Sequence, residues 1–278
     1  MPPRPMTIAS NRSLTRRVYA APYSSSVSFS VAADAYDRFM GRYSRLLSSR
    51  MADLGEVRDG QRALDVGCGP GALTAELVAR LGPGRVAAVD PSEPFVAAAR
   101  ERFPGVEVRQ ATAEQLPFAD GRFDAALAQL VVHFMSDPVG GLREMGRVTR
   151  PGGVVTACVW DHAGGRGPLG VFWRAARELD SDIEDESRLA GAREGHLVEL
   201  LTAAGLRDVE GTTVSATVEH PTFEDWWAPF TEGVGPAGSH VASLDQGGRD
   251  ALREHCRALL PPVPFRVEAM AWAARGWT

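Results

Sequence analysis

The chain contains no lysine; all 30 of its permanently cationic side chains are arginines. That excludes a Schiff-base lysine, the lysine of a phosphate-binding P-loop and a pyridoxal-phosphate anchor. Cysteine is scarce too. Cys68, Cys158 and Cys256 have no metal-ligand spacing, so reduced thiols are expected, with neither a disulfide nor a metal site. Long apolar runs are missing: the longest uncharged apolar stretch, Ala125 to Met135, is interrupted by Gln129 and His133 and falls short of the roughly 20 residues a membrane span needs. A basic stripe is missing as well, since the arginines are scattered and the net charge is −5. These absences predict a cytoplasmic protein whose partner is a small molecule, with neither nucleic acid nor membrane, and they set no oligomeric state.

What is present is an ordinary globular composition, 44% hydrophobic and 23% charged over 278 residues, enough for one large core with decoration. Residues 1–30 carry Arg4, Arg12, Arg16 and Arg17, many serines and no acid, which reads as a disordered or non-native extension. Val27 is then a candidate alternative start, on the hypothesis that its codon is GTG. The folded domain is expected over 31–278. From Ala32 to Leu54, Tyr36, Phe39, Met40, Tyr43, Leu46 and Leu47 recur at helical spacing, predicting one or two helices ahead of the core.

Strands are predicted at 63–66, 86–89, 106–109, 123–129 and 154–160, with helices at 73–81, 94–103 and 139–149 between them. This alternation over the core, 60–160, argues for a doubly wound, mostly parallel α/β sheet of Rossmann-like type. Helices at 169–179 and 196–204 follow, then strands at 209–218 and 265–273, the last of them antiparallel. Between these two strands lies a helical insertion, a cap over 220–262, with Trp226, Trp227, Phe230 and a helix at 250–260. The three aromatics read more readily as a satellite core than as a ligand wall.

The chemistry gathers at strand ends. In Leu64-Asp65-Val66-Gly67-Cys68-Gly69-Pro70-Gly71, glycines at alternate positions let a ligand approach the backbone where a strand turns into a helix. Taken alone the loop also satisfies a loose dinucleotide fingerprint. Asp90 closes the second strand, 19 residues beyond Gly71, and is followed by Pro91. Its carboxylate only accepts hydrogen bonds and suits the two vicinal hydroxyls of an unmodified ribose. Gln129 and His133 sit at and just past the end of the fourth strand, the edge where open α/β sheets bind ligands. His162, after the fifth, stays unassigned between loop and site.

Asp65 within the strand, Pro70-Gly71 in the loop, and the stretch Ala111-Thr112-Ala113-Glu114-Gln115-Leu116-Pro117-Phe118 followed by Asp120-Gly121-Arg122-Phe123-Asp124 complete a pattern. It resembles the class I S-adenosylmethionine-dependent methyltransferases, in particular the broad group that includes the ubiquinone and menaquinone C-methyltransferases. The resemblance is good from Ala32 to Trp160 and holds only in outline beyond. It implies a seven-stranded sheet, S-adenosylmethionine as cofactor, and a glycine loop (Gly67, Cys68, Gly69, Gly71) wrapping the methionine part, with Asp65 holding its amino group. Asp90 and Pro91 would take the ribose, and Thr112, Ala113 and Glu114 the adenine; relatives usually carry an aspartate where this chain has Thr112. Tyr36 and Arg42, on the leading helices, would fold over the cofactor, and Gln129 would touch it.

The activity implied is methyl transfer to a small molecule, with Gln129 and His133 the candidate catalytic residues and His133 the candidate base. Neither the acceptor nor the methylated atom is legible. A non-catalytic regulator retaining the fold is separated from an enzyme by turnover. A nicotinamide-dependent oxidoreductase is disfavoured by the acidic residue at Asp65 and the antiparallel last strand, and nicotinamide titration would decide it.

Overall fold

The computed structural model describes residues 33–278, so the expected extension at 1–30 and the start-site reading at Val27 lie outside the described residues. The leading segment is one run of helix, α1 (Ala33–Tyr36), a π-helical turn (Asp37–Gly41) and α2 (Arg42–Leu54). It buries Phe39, Tyr43, Leu47 and Met51, which share a face at helical spacing. The strands are β1 (Ala63–Val66), β2 (Val86–Asp90), β3 (Glu107–Gln110), β4 (Phe123–Gln129), β5 (Thr149–Trp160), β6 (Arg207–His220) and β7 (Phe265–Trp277). Between them run α3 (Ala72–Leu81), α4 (Glu93–Arg102), α5 (Pro138–Val148), α6 (Gly170–Leu179) and α7 (His196–Ala203).

The seven strands form one sheet in the order β3-β2-β1-β4-β5-β7-β6. All pairs among β1 to β5 are parallel, whereas β7 is antiparallel to both its neighbours. Both faces are covered, and alternate strand residues feed opposite cores: Leu64 and Val66 join one with α5 and α7, while Ala63 joins Leu47 of α2 and Leu73 of α3 in the other. A strand buried on both sides therefore reads as an apolar run without alternation, as residues 86–89 of β2 do, while β1 carries a single polar residue, Asp65.

Strand order reverses at β1 and β4. There the chain ends of β1, β2 and β4 open a crevice at the topological switch point. Beyond β6, the insertion folds as α8 (Phe223–Trp227), α9 (Gly235–Ser243) and α10 (Gln246–Leu259). α9 lies within the expected helical insertion but apart from the one helix placed there by sequence, at 250–260, and it forms although it opens on Gly235-Pro236 and contains Gly238. Proline in the first helical turn costs no hydrogen bond, and Gly238 lies against the Gly233 backbone, where a side chain would not fit. β6 and β7 also run longer than their apolar alternation, since their mutual pairing continues through exposed positions.

Candidate functional site

The loop from β1 to α3 takes its shape from three left-handed glycines that do different things. Gly67, at φ +70°, has no room for a Cβ, which would stand 2.5 Å from Val131 methyls. At Gly71, φ +103°, a Cβ would overlap the Phe103 ring. At Gly69, φ +52°, it would meet nothing within 4 Å. Two of the glycines are thus demanded by packing, and only Gly69 opens onto free space. Cys68 contributes backbone, its thiol being buried against Ala88 and Val96 and pushed well above its ordinary pKa by that burial.

Asp90 knits the crevice together. Its Oδ2 accepts the Gly69 amide at 2.9 Å and its Oδ1 the Ser92 amide at 2.8 Å. Each carboxylate oxygen has two lone pairs, so each retains one acceptor direction. Burial raises the Asp90 pKa, and the two amides oppose the shift. Asp65, on β1, is buried more deeply and accepts from the Thr74 hydroxyl at 2.6 Å. Burial, with Asp90 nearby, pushes its pKa up to about 7.

Pro91 is exposed, and its carbonyl accepts from Gln110 at 3.0 Å. Thr112 is exposed beyond β3, Ala113 is buried in the core, and the Glu114 carboxylate accepts the amides of Ser136 and Asp137 at 2.9 and 3.2 Å. Glu114 thereby holds the turn that leads into α5.

At the end of β4, Gln129 donates to the Ser44 carbonyl at 2.9 Å, pinning α2 to the sheet, and its Oε1 is buried without a partner. Leu130 follows at φ +63°, a strained conformation for a branched residue at a site edge. Beside it opens a small, largely apolar cleft, walled by Tyr36, Phe39 and Met40, by Leu130 and Phe134, by Trp160, and by Val234 and Pro236. His133, His162 and Glu186 also line it, all buried. Burial first, and His162 second, hold His133 well below the usual histidine pKa.

The leading helices cover this region. Tyr36 lines the cleft, packs edge-on against Phe95 of α4 at 5.4 Å, and has its pKa raised to about 12, by burial first. Arg102 fastens the same helices to the glycine loop, donating to the Asp37 carboxylate at 2.6 Å and to the Pro70 carbonyl at 3.1 Å. Arg42 is engaged elsewhere: it pairs with Asp225 at 2.8 Å and reaches the Glu219 carbonyl, joining α2 to β6 and α8. Asp225 also bonds His220, whose other ring nitrogen meets the Tyr43 hydroxyl, so Arg42 belongs to a structural network. Trp226, Trp227 and Phe230 fall in the core shared by α6 and the insertion.

Sequence reasoning left His162 unassigned and missed Glu186. His162 had a signal, its place just beyond a parallel strand's end. Glu186 had none, being one of five acids between Asp180 and Glu186.

A family model described as "Methyltransferase domain" matches residues 64–157. The chain is 31% identical over 232 residues to the malonyl-[acyl-carrier protein] O-methyltransferase of Pseudescherichia vulneris, covering 81% of this chain and 86% of that protein. It is 35% identical over 109 residues to a demethylmenaquinone methyltransferase of Desulfitobacterium hafniense, covering 37% and 43% respectively. It spans between 33% and 56% of the length of four other curated relatives. Among solved structures, the YcgJ protein of Bacillus subtilis is similar in fold, with a TM-score of 0.54 at 18% identity over 83% of this chain and 97% of that one.

Proposed function

We propose that this chain, which belongs to the class I S-adenosylmethionine-dependent methyltransferases, transfers a methyl group to a small molecule with an apolar body held in the cleft beside β4. The observation that carries the reading is the cradle at the switch point. Gly69 leaves open space, Asp90 keeps an acceptor direction on each oxygen, and Tyr36 lines the adjoining cleft within the electrostatic reach of Asp90.

These residues fit S-adenosylmethionine. Asp90 would accept from the ribose hydroxyls and Asp65 would receive the amino group, with Gly67, Gly69 and Gly71 shaping the loop between them. Pro91, Thr112 and Ala113 would border the adenine. When bound, the cofactor supplies a methyl group already activated on a sulfonium, so the protein's work is to orient the acceptor and exclude water. Gln129 acts as a positioning residue, holding α2 and with it Tyr36 over the crevice, while His133 faces the acceptor. The apolar walls favour a small acceptor over nucleic acid, and no helix among the described residues is long and apolar enough to cross a membrane.

Calorimetry with S-adenosylhomocysteine tests the reading. One equivalent should bind, and Asp90→Ala should weaken binding by roughly 2 to 4 kcal/mol, tens- to several-hundred-fold, for two lost bonds to a charged acceptor. Asp90→Asn, which keeps the shape, should lie between. No heat and no competition with wild type would overturn the cofactor site. Transfer of labelled methyl to screened apolar metabolites separates an enzyme from a binding protein of the same fold.

A further inference from the structure

We propose that His133, His162 and Glu186 form a divalent-metal site in the wall of the cleft, taking a borderline transition cation such as zinc, cobalt or iron. The three residues come from separate segments: the 3₁₀ turn after β4 (Val132–Phe134), the loop after β5 and the 3₁₀ turn Glu186–Arg188. One ligand atom from each lies within 4.8 Å of the other two. All three residues are at least nine-tenths buried.

What each group lacks points to a cation. His133 Nδ1 and His162 Nε2 are buried with no hydrogen-bond partner, and His162 Nδ1 stands 3.9 Å from the Glu186 carboxylate, too far to bond it. Among the described residues no arginine pairs with Glu186, although a buried carboxylate ordinarily needs a cation. A metal ion supplies the charge and uses nitrogen lone pairs that otherwise go unused.

The donor set decides the class of ion. Two imidazoles and a carboxylate suit zinc and its neighbours, whereas calcium and magnesium take oxygen ligands. Trp173 donates to Glu186 at 2.7 Å, the kind of outer partner that orients a ligating carboxylate. Three protein ligands leave a coordination position facing the cleft, as in sites that bind water or a ligand oxygen and unlike closed structural sites. Donors around a tetrahedral zinc stand about 3.3 Å apart, so binding draws the two short turns and the loop inward. The site stands on these residues whether or not the cleft receives a methyl acceptor.

The test is titration of untagged, metal-stripped full-length protein with Co²⁺, read by visible d–d absorption, and with Zn²⁺, read by calorimetry. One equivalent should bind, with the d–d bands of a four- or five-coordinate centre and a raised melting temperature. His162→Ala and Glu186→Gln should each weaken binding by about 100-fold or more, at or beyond the range for losing an outer-shell partner. His255→Ala, at a surface pair with Glu178, should leave it unchanged. S-adenosylhomocysteine affinity, measured on the same preparations, reports that each variant is folded and tests the cofactor site separately. Absence of metal uptake by wild type overturns the proposal, and so does equal uptake by wild type and both folded variants.

Discussion

Asp65 and Asp90 stand on adjacent strands, and their surroundings treat them differently. Asp90 has two backbone amides to offset its burial, while Asp65 has the Thr74 hydroxyl, a lesser pull from the Thr74 amide, and the repulsion of Asp90. With its pKa near 7 against an ordinary 3.8, Asp65 in the folded protein holds a proton that the unfolded chain releases between about pH 4 and 7. Its contribution to stability therefore falls as pH rises through that window and is at its least favourable above it. An ammonium bound beside Asp65 favours the ionised form, so the binding of S-adenosylhomocysteine should release close to one proton at pH 6 and almost none at pH 8. Below pH 7 affinity should rise by up to about tenfold per pH unit. Calorimetric heats in buffers of different ionisation enthalpy measure the proton count. Asp65→Asn should remove it, and unchanged release in that variant would place the titrating group elsewhere.

The glycine loop is an element whose residues look alike in sequence and separate only in three dimensions. Alternate glycines announced a close approach of some kind, but not what approaches. Val131 and Phe103, distant in sequence, fill the space beside Gly67 and Gly71, leaving Gly69 as the position open to a ligand. Gly69→Val should therefore fold, at a cost of roughly 1 to 2 kcal/mol for a left-handed backbone, and lose at least about tenfold in cofactor affinity. Gly71→Val must displace the Phe103 ring as well and should show a much lower melting temperature. Melting curves and calorimetry on both variants check the order. Wild-type affinity in folded Gly69→Val would detach this loop from the cofactor.

At the scale of the whole molecule, the insertion between β6 and β7 is part of one body with the leading helices. Phe230 stacks on Phe172 of α6 at 4.6 Å and meets Phe39 at 4.9 Å and Trp226 at 4.8 Å, all within a core that reaches Phe265 of β7. The cleft opens where this core meets the ends of β4 and β5. Phe230→Ala should therefore cost about 3 to 5 kcal/mol, as truncation of a fully buried aromatic does. Denaturant unfolding followed by tryptophan fluorescence and by far-ultraviolet circular dichroism should give one coincident transition, shifted to lower denaturant. A loss under about 1 kcal/mol, or a separate early transition of the insertion, would show that it folds apart from the sheet.

The sequence by itself determined the strand and helix alternation, the doubly wound core and the positions of the glycine loop and Asp90. Each of these rests on short-range physics: the period of burial along a strand or helix, and the steric demand of a turn. It also marked Gln129 and His133, because the end of a parallel strand is a place that topology assigns before any packing is known. Tertiary structure alone decided what depends on meetings between distant residues. Arg42 found Asp225, 183 positions away, and so became a strut of the fold. α9 formed despite its glycines because the insertion packs it against a core. Glu186, one acid among several, was singled out only by the folding of its turn against His162 and Trp173, since a cluster drawn from three segments leaves no local pattern for a sequence to display.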